Sequence, residues 1–399
     1  MKKTKRTFMF SLLLSLIMIT GCWDRIELED IGLVLGVAID ESATKAAKKQ
    51  EKEELKGQAK ERKHILMAHH FIIPQEVSGK TSIAKRKPYS NVINEGETIF
   101  EIVRELSTRV ARPPNYEHLK VIVISEEIAR STDLRDIINF FLRNPESRRT
   151  IKMLIAKGKA RETFEKRPSI MVDPALEMAK MIENTKKTLR MAPEMTLGDM
   201  SEKLTSETSF VMQRVVTSKT GTKVAGATVI NGKTHKMVGW LGEDEMEGLN
   251  WMSGKGKAGI VKGTDQKTGK TMVYEVGKMR SRIKPKVQGN NISFTVDIET
   301  EGSLREDWLE PGNAFKENLI KRAEKAAEME IKRLTQKALT KTQKKFKVDV
   351  AGFGKQLSIY YPKVWKEVKK DWDKHFSKIP VDINVKVQIS EFGTRGTKM

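Results

Sequence analysis

Apolar positions along the chain change their period several times, and each change marks an element. Ile31 to Asp40 (IGLVLGVAID) is apolar almost throughout, as in a strand buried on both faces. His64 to Ile73 (HILMAHHFII) reads as the returning strand, stopped at Pro74, which has no N–H to continue a ladder. Between them, Glu41 to Lys63 is crowded with Lys, Glu and Ala and reads as a solvated hairpin tip or helix rather than core. Gly96 to Val110 switches to the helical period, with Ile99, Ile102, Val103, Leu106 and Val110 on one stripe, and Pro113-Pro114 end it. His118 to Ser125 is a second apolar strand. Ser125 or Ser131 caps an acidic helix start beyond it, and Leu134, Ile137, Ile138 and Phe141 make the next stripe. Thr150 to Ala156 predicts a strand and Lys159 to Glu165 a helix. Met171 to Leu204 is rich in helix and in methionine, at spacings that belong to ordinary core.

The second half opens on Val224 to Leu241, two alternating runs around Asn231-Gly232, which predicts a hairpin with a type I′ turn. Gly242 to Trp251 (GEDEMEGLNW) reads as a helix with acidic residues in its first turn, where the helix dipole favours them. Thr271 to Val276 and Ile292 to Ile298 are further strands. Asn313 to Phe346 predicts a long basic helix whose stripe is Phe315, Leu319, Ala323, Ala327, Ile331, Leu334 and Ala338. After DVAGFGKQ (Asp349 to Gln356) and a segment around Trp365 and Trp372, Val381 to Ile389 alternates cleanly as a strand. The expected class is α+β (mixed α/β) and multidomain. Each domain is a β-sheet covered by helices, with the long basic helix packed on the C-terminal sheet. The expected division is a leader over 1–21, an N-terminal α/β domain of one or two subdomains over 22–205, a linker over 206–223, and a C-terminal α+β domain over 224–396.

The leader changes the picture most. Lys2, Lys3, Lys5 and Arg6 precede an apolar run from Phe8 to Ile19. About 12 helical residues reach only ~18 Å, short of a ~30 Å hydrocarbon core, so the run suits a signal peptide rather than a spanning helix. Ile19-Thr20-Gly21-Cys22 then places small residues before the single cysteine of the 399-residue chain, a pattern that resembles the lipobox of bacterial lipoproteins. In that chemistry the Cys22 thiolate accepts a diacylglyceryl group and becomes the new N-terminus. A plain signal anchor with an incidental cysteine is the alternative. One cysteine also means no intramolecular disulfide. The net charge is +22, of which the leader carries +4. So basic a chain points to nucleic acid or to an anionic membrane surface. An export leader, and the lack of zinc-finger spacing or an RNP-type motif, argue against nucleic acid. The bland reading of most of these lysines is a solvated surface.

Candidate chemistry is sparse. His64, His69 and His70 suggest a metal, but neighbours on a strand point to opposite faces, and no Asp, Glu or Cys stands nearby at ligand spacing. Glu243, Asp244, Glu245 and Glu247 form a carboxylate cluster that a helix N-terminus explains without catalysis. No Gly-x-Ser-x-Gly elbow, P-loop, His-Glu-x-x-His or dinucleotide fingerprint occurs. The expectation is a non-enzyme without cofactor or metal.

Several segments together resemble the Ger(x)C family, the lipoprotein C subunits of spore nutrient-germinant receptors. They are Gly21-Cys22-Trp23-Asp24-Arg25 with Glu27, Asp30 and Ala38-Ile39-Asp40; Tyr116 to Arg130; Arg148-Arg149 and the strand into Lys157-Gly158; Met237 to Trp251; and DVAGFGKQ with a downstream Trp. The long lysine-rich insert at 41–63 and the histidines before Pro74 depart from the pattern. The resemblance implies a fold of several α/β domains and a lipid-anchored, extracytoplasmic, non-catalytic subunit at the inner spore membrane, lipidated at Cys22. It implies partnership with membrane-integral receptor A and B subunits and a role in nutrient-triggered germination. Trp23 is expected at the lipid interface, and Asp24 and Arg25 either contact a partner or simply lead into the first strand. The competing readings are a lipid-anchored solute-binding protein, a wall-associated enzyme and a nucleic-acid binder.

Overall fold

The computed structural model describes residues 31–42, 64–73, 87–308 and 317–391. In chain order the first elements are β1 (Gly32–Glu41), β2 (Ile65–Ile72), β3 (Tyr89–Gly96), α1 (Ile99–Leu106), β4 (Pro114–Asn115) and β5 (Val121–Ser125). Then come α2 (Glu126–Ser131), α3 (Leu134–Arg143), β6 (Lys152–Ala156), α4 (Glu162–Glu165), α5 (Pro174–Ile182) and α6 (Leu197–Thr205). They are followed by β7 (Phe210–Ser218), β8 (Gly221–Asn231), β9 (Lys236–Leu241) and α7 (Glu243–Ser253). The last group is β10 (Ile260–Thr264), β11 (Thr271–Gln288), β12 (Asn291–Asp307), α8 (Glu317–Thr340), α9 (Phe353–Tyr360), α10 (Pro362–Val368), α11 (Trp372–Phe376) and β13 (Val381–Glu391).

The first sheet runs β3-β2-β1-β5-β6-β7-β8-β9, with β4 beside the start of β1. Its centre, β1, β5, β6 and β7, is parallel; antiparallel pairs flank it on both sides. Helices cover both faces of this centre, and so its strands are apolar runs rather than alternations. Every residue of β5 (VIVIS) is buried. Ile122 and Ile124 face a core shared with α1, α3 and α6, while Val121 and Val123 face one shared with α4 and α5. Each such side chain contributes about 1.5–3 kcal/mol of burial.

The second sheet, β10-β11-β12-β13, is antiparallel except for its last pair. Helix α8 lies across it, with Leu319, Ala323, Ala327, Ile331, Leu334 and Ala338 of the predicted stripe all buried, while Phe315 lies outside the described residues. The two sheets share one core, in which Val211, Ala227 and Val229 of the first join Val261, Tyr274 and Val296 of the second. Helices α7 and α8 meet closely there: a Cβ added at Gly248 would lie 2.0 Å from the Leu334 carbonyl oxygen.

The α+β class and the helix-covered sheets match expectation, and several details differ. Residues 206–223, expected as a linker, contain β7, which is paired on both sides. Polar and turn-forming residues on each side of it disguise a strand held by its neighbours. The β8–β9 hairpin closes through residues 232–235 rather than a two-residue turn: His235, with φ 55°, takes the left-handed conformation. Asn231 Oδ1 accepts from the N–H groups of Lys233 and Thr234. Gly232 is needed for clearance instead, since a Cβ there would lie 2.2 Å from the Glu207 oxygen. Helix α2 is capped by Ser125, but α3 is capped by Asp133 and not by Ser131. Strands β11 and β12 extend well past the predicted ends, because beyond Gly277 the residues of β11 are exposed or only half-buried and carry little apolar signal. The predicted long helix gives way at Lys341–Phe346 to a π turn that ends at Lys347 (φ 56°).

Candidate functional site

Cys22, Trp23, Asp24 and Arg25 lie outside the described residues. At the start of β1 the Gly32 N–H donates to the Pro113 carbonyl at 2.8 Å. Gly32 is packed so tightly that a Cβ would meet the Phe71 ring at 2.7 Å. Gly32 thus marks the edge of the first sheet where the parallel strands begin. A cleft of about 750 Å³ lies between α1 and α3, lined by Phe100, Val103, Arg104, Pro113, Tyr116 and Phe140 among others. Helix α1 is fixed by a capping box: Thr98 accepts from the Glu101 N–H, and the Glu101 carboxylate accepts from that of Thr98. Phe100 stands 55% exposed on its outer side, with the Arg104 guanidinium 5.1 Å from its ring centroid.

Beneath the cleft, the two adjacent histidines of β2 take different environments. His69 is fully buried, and its Nε2 lies 2.8 Å from the Tyr116 hydroxyl. Burial alone depresses the His69 imidazole to about 3, so the ring is neutral at physiological pH. The same burial pushes the Tyr116 phenol well above its usual range. His70 faces the opposite core, with Nδ1 2.6 Å from Asn91 Oδ1 and Nε2 2.8 Å from Asp173 Oδ2. The Asn91 amide is oriented by its own bond to the Phe164 carbonyl, so both ring nitrogens face acceptors. Asp173 also caps α5 through the N–H groups of Ala175 and Leu176. This network ties β2, β3 and α5 together and serves the fold. Among the described residues, no group of three or more His, Cys, Asp or Glu could hold a metal ion.

The carboxylates that open α7 are each matched by cations from other elements. Glu243 meets Lys223, Asp244 meets Lys337 at 2.9 Å, and Glu245 meets Lys341 at 3.1 Å while accepting from the Gly242 N–H. Glu247 is 2% exposed and bonds Arg190 Nε at 3.1 Å. Burial raises the Glu247 carboxyl while Arg190 opposes that rise; Asp244 is held below the usual range chiefly by its hydrogen bond to Lys337. This is a joint, in which α7 is clamped to α8 on one side and to the loop carrying Arg190 on the other.

A second joint uses the DVAGFGKQ segment. Asp349 accepts from the N–H groups of Gly352 (2.8 Å), Phe353 (3.1 Å) and Gly354 (2.7 Å) and from Trp372 Nε1 (3.0 Å). The carboxylate thereby satisfies orphan donors at the start of α9 and pins α11. Gly352 adopts φ 95°, and a Cβ at Gly354 would meet Trp372 and Trp365 within 3.0 Å. Asp40 works alike in the first sheet, accepting from the N–H groups of Ala160 (2.6 Å) and Arg161 (2.9 Å), with burial raising its carboxyl.

Comparison with known proteins is consistent along the whole chain. Residues 24–217 match the spore germination protein N-terminal domain, and residues 225–393 match the spore germination B3/GerAC-like C-terminal domain. The spore germination protein YndF of Bacillus subtilis (strain 168) is 37% identical, over 99% of each chain. The chain belongs to the Ger(x)C family of spore germination proteins. Spore germination proteins B3 and A3 of the same organism are each 29% identical, over 98% and 95% of this chain and 99% and 96% of their own. The crystal structure of the GerBC protein shares the fold, with a TM-score of 0.59 at 24% identity, covering 90% of this chain and 99% of the other. None of these relatives is named for a catalytic activity. Among the described residues no helix is long and apolar enough to cross a membrane. Within this family member, the segments that carry the resemblance converge on the joints: Asp40, Tyr116, the start of α7 and Asp349 are all engaged in holding elements together. Sequence reasoning missed Arg190 and Asp173, whose partners lie 57 and 103 residues away.

Proposed function

We propose that this chain is the lipid-anchored C subunit of a spore nutrient germinant receptor. It is held on the extracytoplasmic face of the inner spore membrane by a diacylglyceryl group on Cys22. It acts without catalysis, as an assembly partner of membrane-integral receptor subunits. The observation that carries this reading is the full-length match to spore germination proteins, joined to a lone cysteine placed directly after a short apolar run. Two acyl chains give stable anchoring where one gives only marginal binding. The anchor confines both sheets and their shared core to a thin layer and raises their effective concentration at membrane partners. A solute-binding clamp needs a hinge between two lobes; the first sheet instead runs unbroken from β3 to β9 through both family-matched regions. Trp23 sits at the interface, and Asp24 and Arg25 contact a receptor subunit or the first domain; unchanged receptor assembly after substituting both would remove that contact.

The test uses dormant spores carrying Cys22→Ala. The expected outcome is loss of the protein from the inner membrane and loss of the nutrient response, while a non-nutrient trigger still works. A variant that stays membrane-bound and responds normally would overturn the anchor.

A further inference from the structure

We propose that the lysine-rich outer side of helices α9 and α10 lies on an anionic lipid surface, with Ile359 and Tyr360 at the headgroup level. The inference rests on the Cys22 anchor and adds which face of the protein the lipid meets.

Two short helices build this face. Helices α9 and α10 meet at Tyr361, and they pack through Gly354, whose added Cβ would touch the Trp365 ring. Phe353, Leu357 and Val368 turn inward and are buried. Lys355, Lys363 and Lys366 stay outside, as do Ile359 and Tyr360, which are 60% and 63% exposed. An aliphatic and an aromatic side chain thus adjoin in solvent among cations, a composition favoured at the headgroup level of a bilayer.

Charge decides what covers the face. Residues 342–380 hold ten lysines, every one exposed, and no arginine. The same stretch holds four acids. Asp349 is filled by three backbone N–H groups and Trp372, and Asp373 accepts from Asn231, which leaves Glu367 and Asp371 exposed. None of the ten lysines makes an ion pair among the described residues. An acidic protein surface is the competing occupant, but protein interfaces favour arginine and are depleted in lysine. A lysine ammonium is a compact, strongly hydrated charge, suited to the diffuse field of headgroup phosphates. There each one strengthens attachment about fivefold.

The face is also within reach of the anchor. The joint between α10 and α11 sits on the tip of the β8–β9 hairpin. Lys233 Nζ donates to the Lys370 carbonyl at 2.6 Å, and Asn231 Nδ2 donates to Asp373 Oδ2 at 3.3 Å. Followed across β5, β6 and β7, Val229 of β8 is level with Gly36 of β1, so the tip is level with Gly32. Strand β8 stands four strands from β1, about 19 Å away. Gly32 follows Cys22 by ten residues, which reach at most about 36 Å.

The experiment uses full-length lipidated protein in vesicles containing phosphatidylglycerol. Cys22 is acylated in this reading, so Ile359→Cys supplies one reactive thiol for a fluorophore. Lys159→Cys supplies the reference, next to Ala160, whose N–H bonds Asp40 at the far end of β1 from Gly32. The label at 359 is expected to be quenched by headgroup-level nitroxide lipid and the label at 159 to stay bright. Quenching at 359 is expected to fall severalfold in a Lys355→Glu/Lys363→Glu/Lys366→Glu variant and in vesicles of phosphatidylcholine alone. Quenching that survives both changes, equal quenching at both sites, or a bright label at 359 on anchored, singly labelled protein overturns the lipid face and leaves the anchor standing. Two labels per chain, with protein released from the vesicles, overturns the anchor instead.

Discussion

Lowering the pH tests the buried histidine of β2 in a way that can be worked out in advance. His69 is neutral in the fold, with its imidazole depressed to about 3 by burial, whereas the unfolded chain titrates near 6.5. Because the folded value is the lower one, the unfolded chain takes up the proton first as pH falls. The stability due to the neutral ring is complete above about pH 6.5 and is lost progressively between about pH 6.5 and 3. At pH 5 the loss from this one residue is about 2 kcal/mol relative to pH 7. The assay is urea unfolding followed by circular dichroism at both pH values, for the wild type and for His69→Leu. The variant strands the Tyr116 hydroxyl, 2.8 Å from the lost nitrogen, which costs about 1–3 kcal/mol at either pH. The difference between the two pH values isolates the titration: the wild type should lose about 2 kcal/mol more than the variant. Equal losses would mean that His69 is hydrated or charged in the fold, and the burial argument would be refuted.

Other outcomes follow from the joints. Arg190→Met removes the partner of the buried Glu247 and should cost about 2 kcal/mol, less than the roughly 3–5 kcal/mol of a fully buried pair, because Arg190 is 38% exposed. Adding Glu247→Gln should recover most of that loss in a double-mutant cycle. By contrast, Lys337→Ala breaks a solvent-exposed pair with Asp244 and should stay within about 1 kcal/mol in the same unfolding assay. Asp349→Ala leaves three backbone donors and Trp372 without their acceptor; a loss of about 2–3 kcal/mol, with altered near-ultraviolet dichroism from Trp365 and Trp372, is expected. For Gly248→Ala, the new methyl collides with the Leu334 carbonyl and should lower stability by about 1–3 kcal/mol; an unchanged midpoint would show that α7 and α8 can separate.

What the sequence displays and what it conceals divide along a physical line. The central strands are legible because burial on both faces makes them apolar runs, and the α8 stripe is legible because one face of a long helix must be buried. Strand β7 and the far half of β11 are concealed, since their pairing comes from neighbours and not from their own pattern. His69 and His70 are visible as residues, but their meaning is not. Only the register placing Tyr116 beside one and Asp173 beside the other shows that both are structural. The family segments carry a further lesson. Asp349, Asp40 and Glu247 would each pass for site carboxylates, yet each is consumed by donors fixed elsewhere in the fold. A carboxylate whose lone pairs are already filled by backbone N–H groups has little capacity left for a ligand. Function in this chain is therefore to be sought among groups the fold leaves unspent, such as the exposed Phe100 and the other side chains that line the open cleft between α1 and α3.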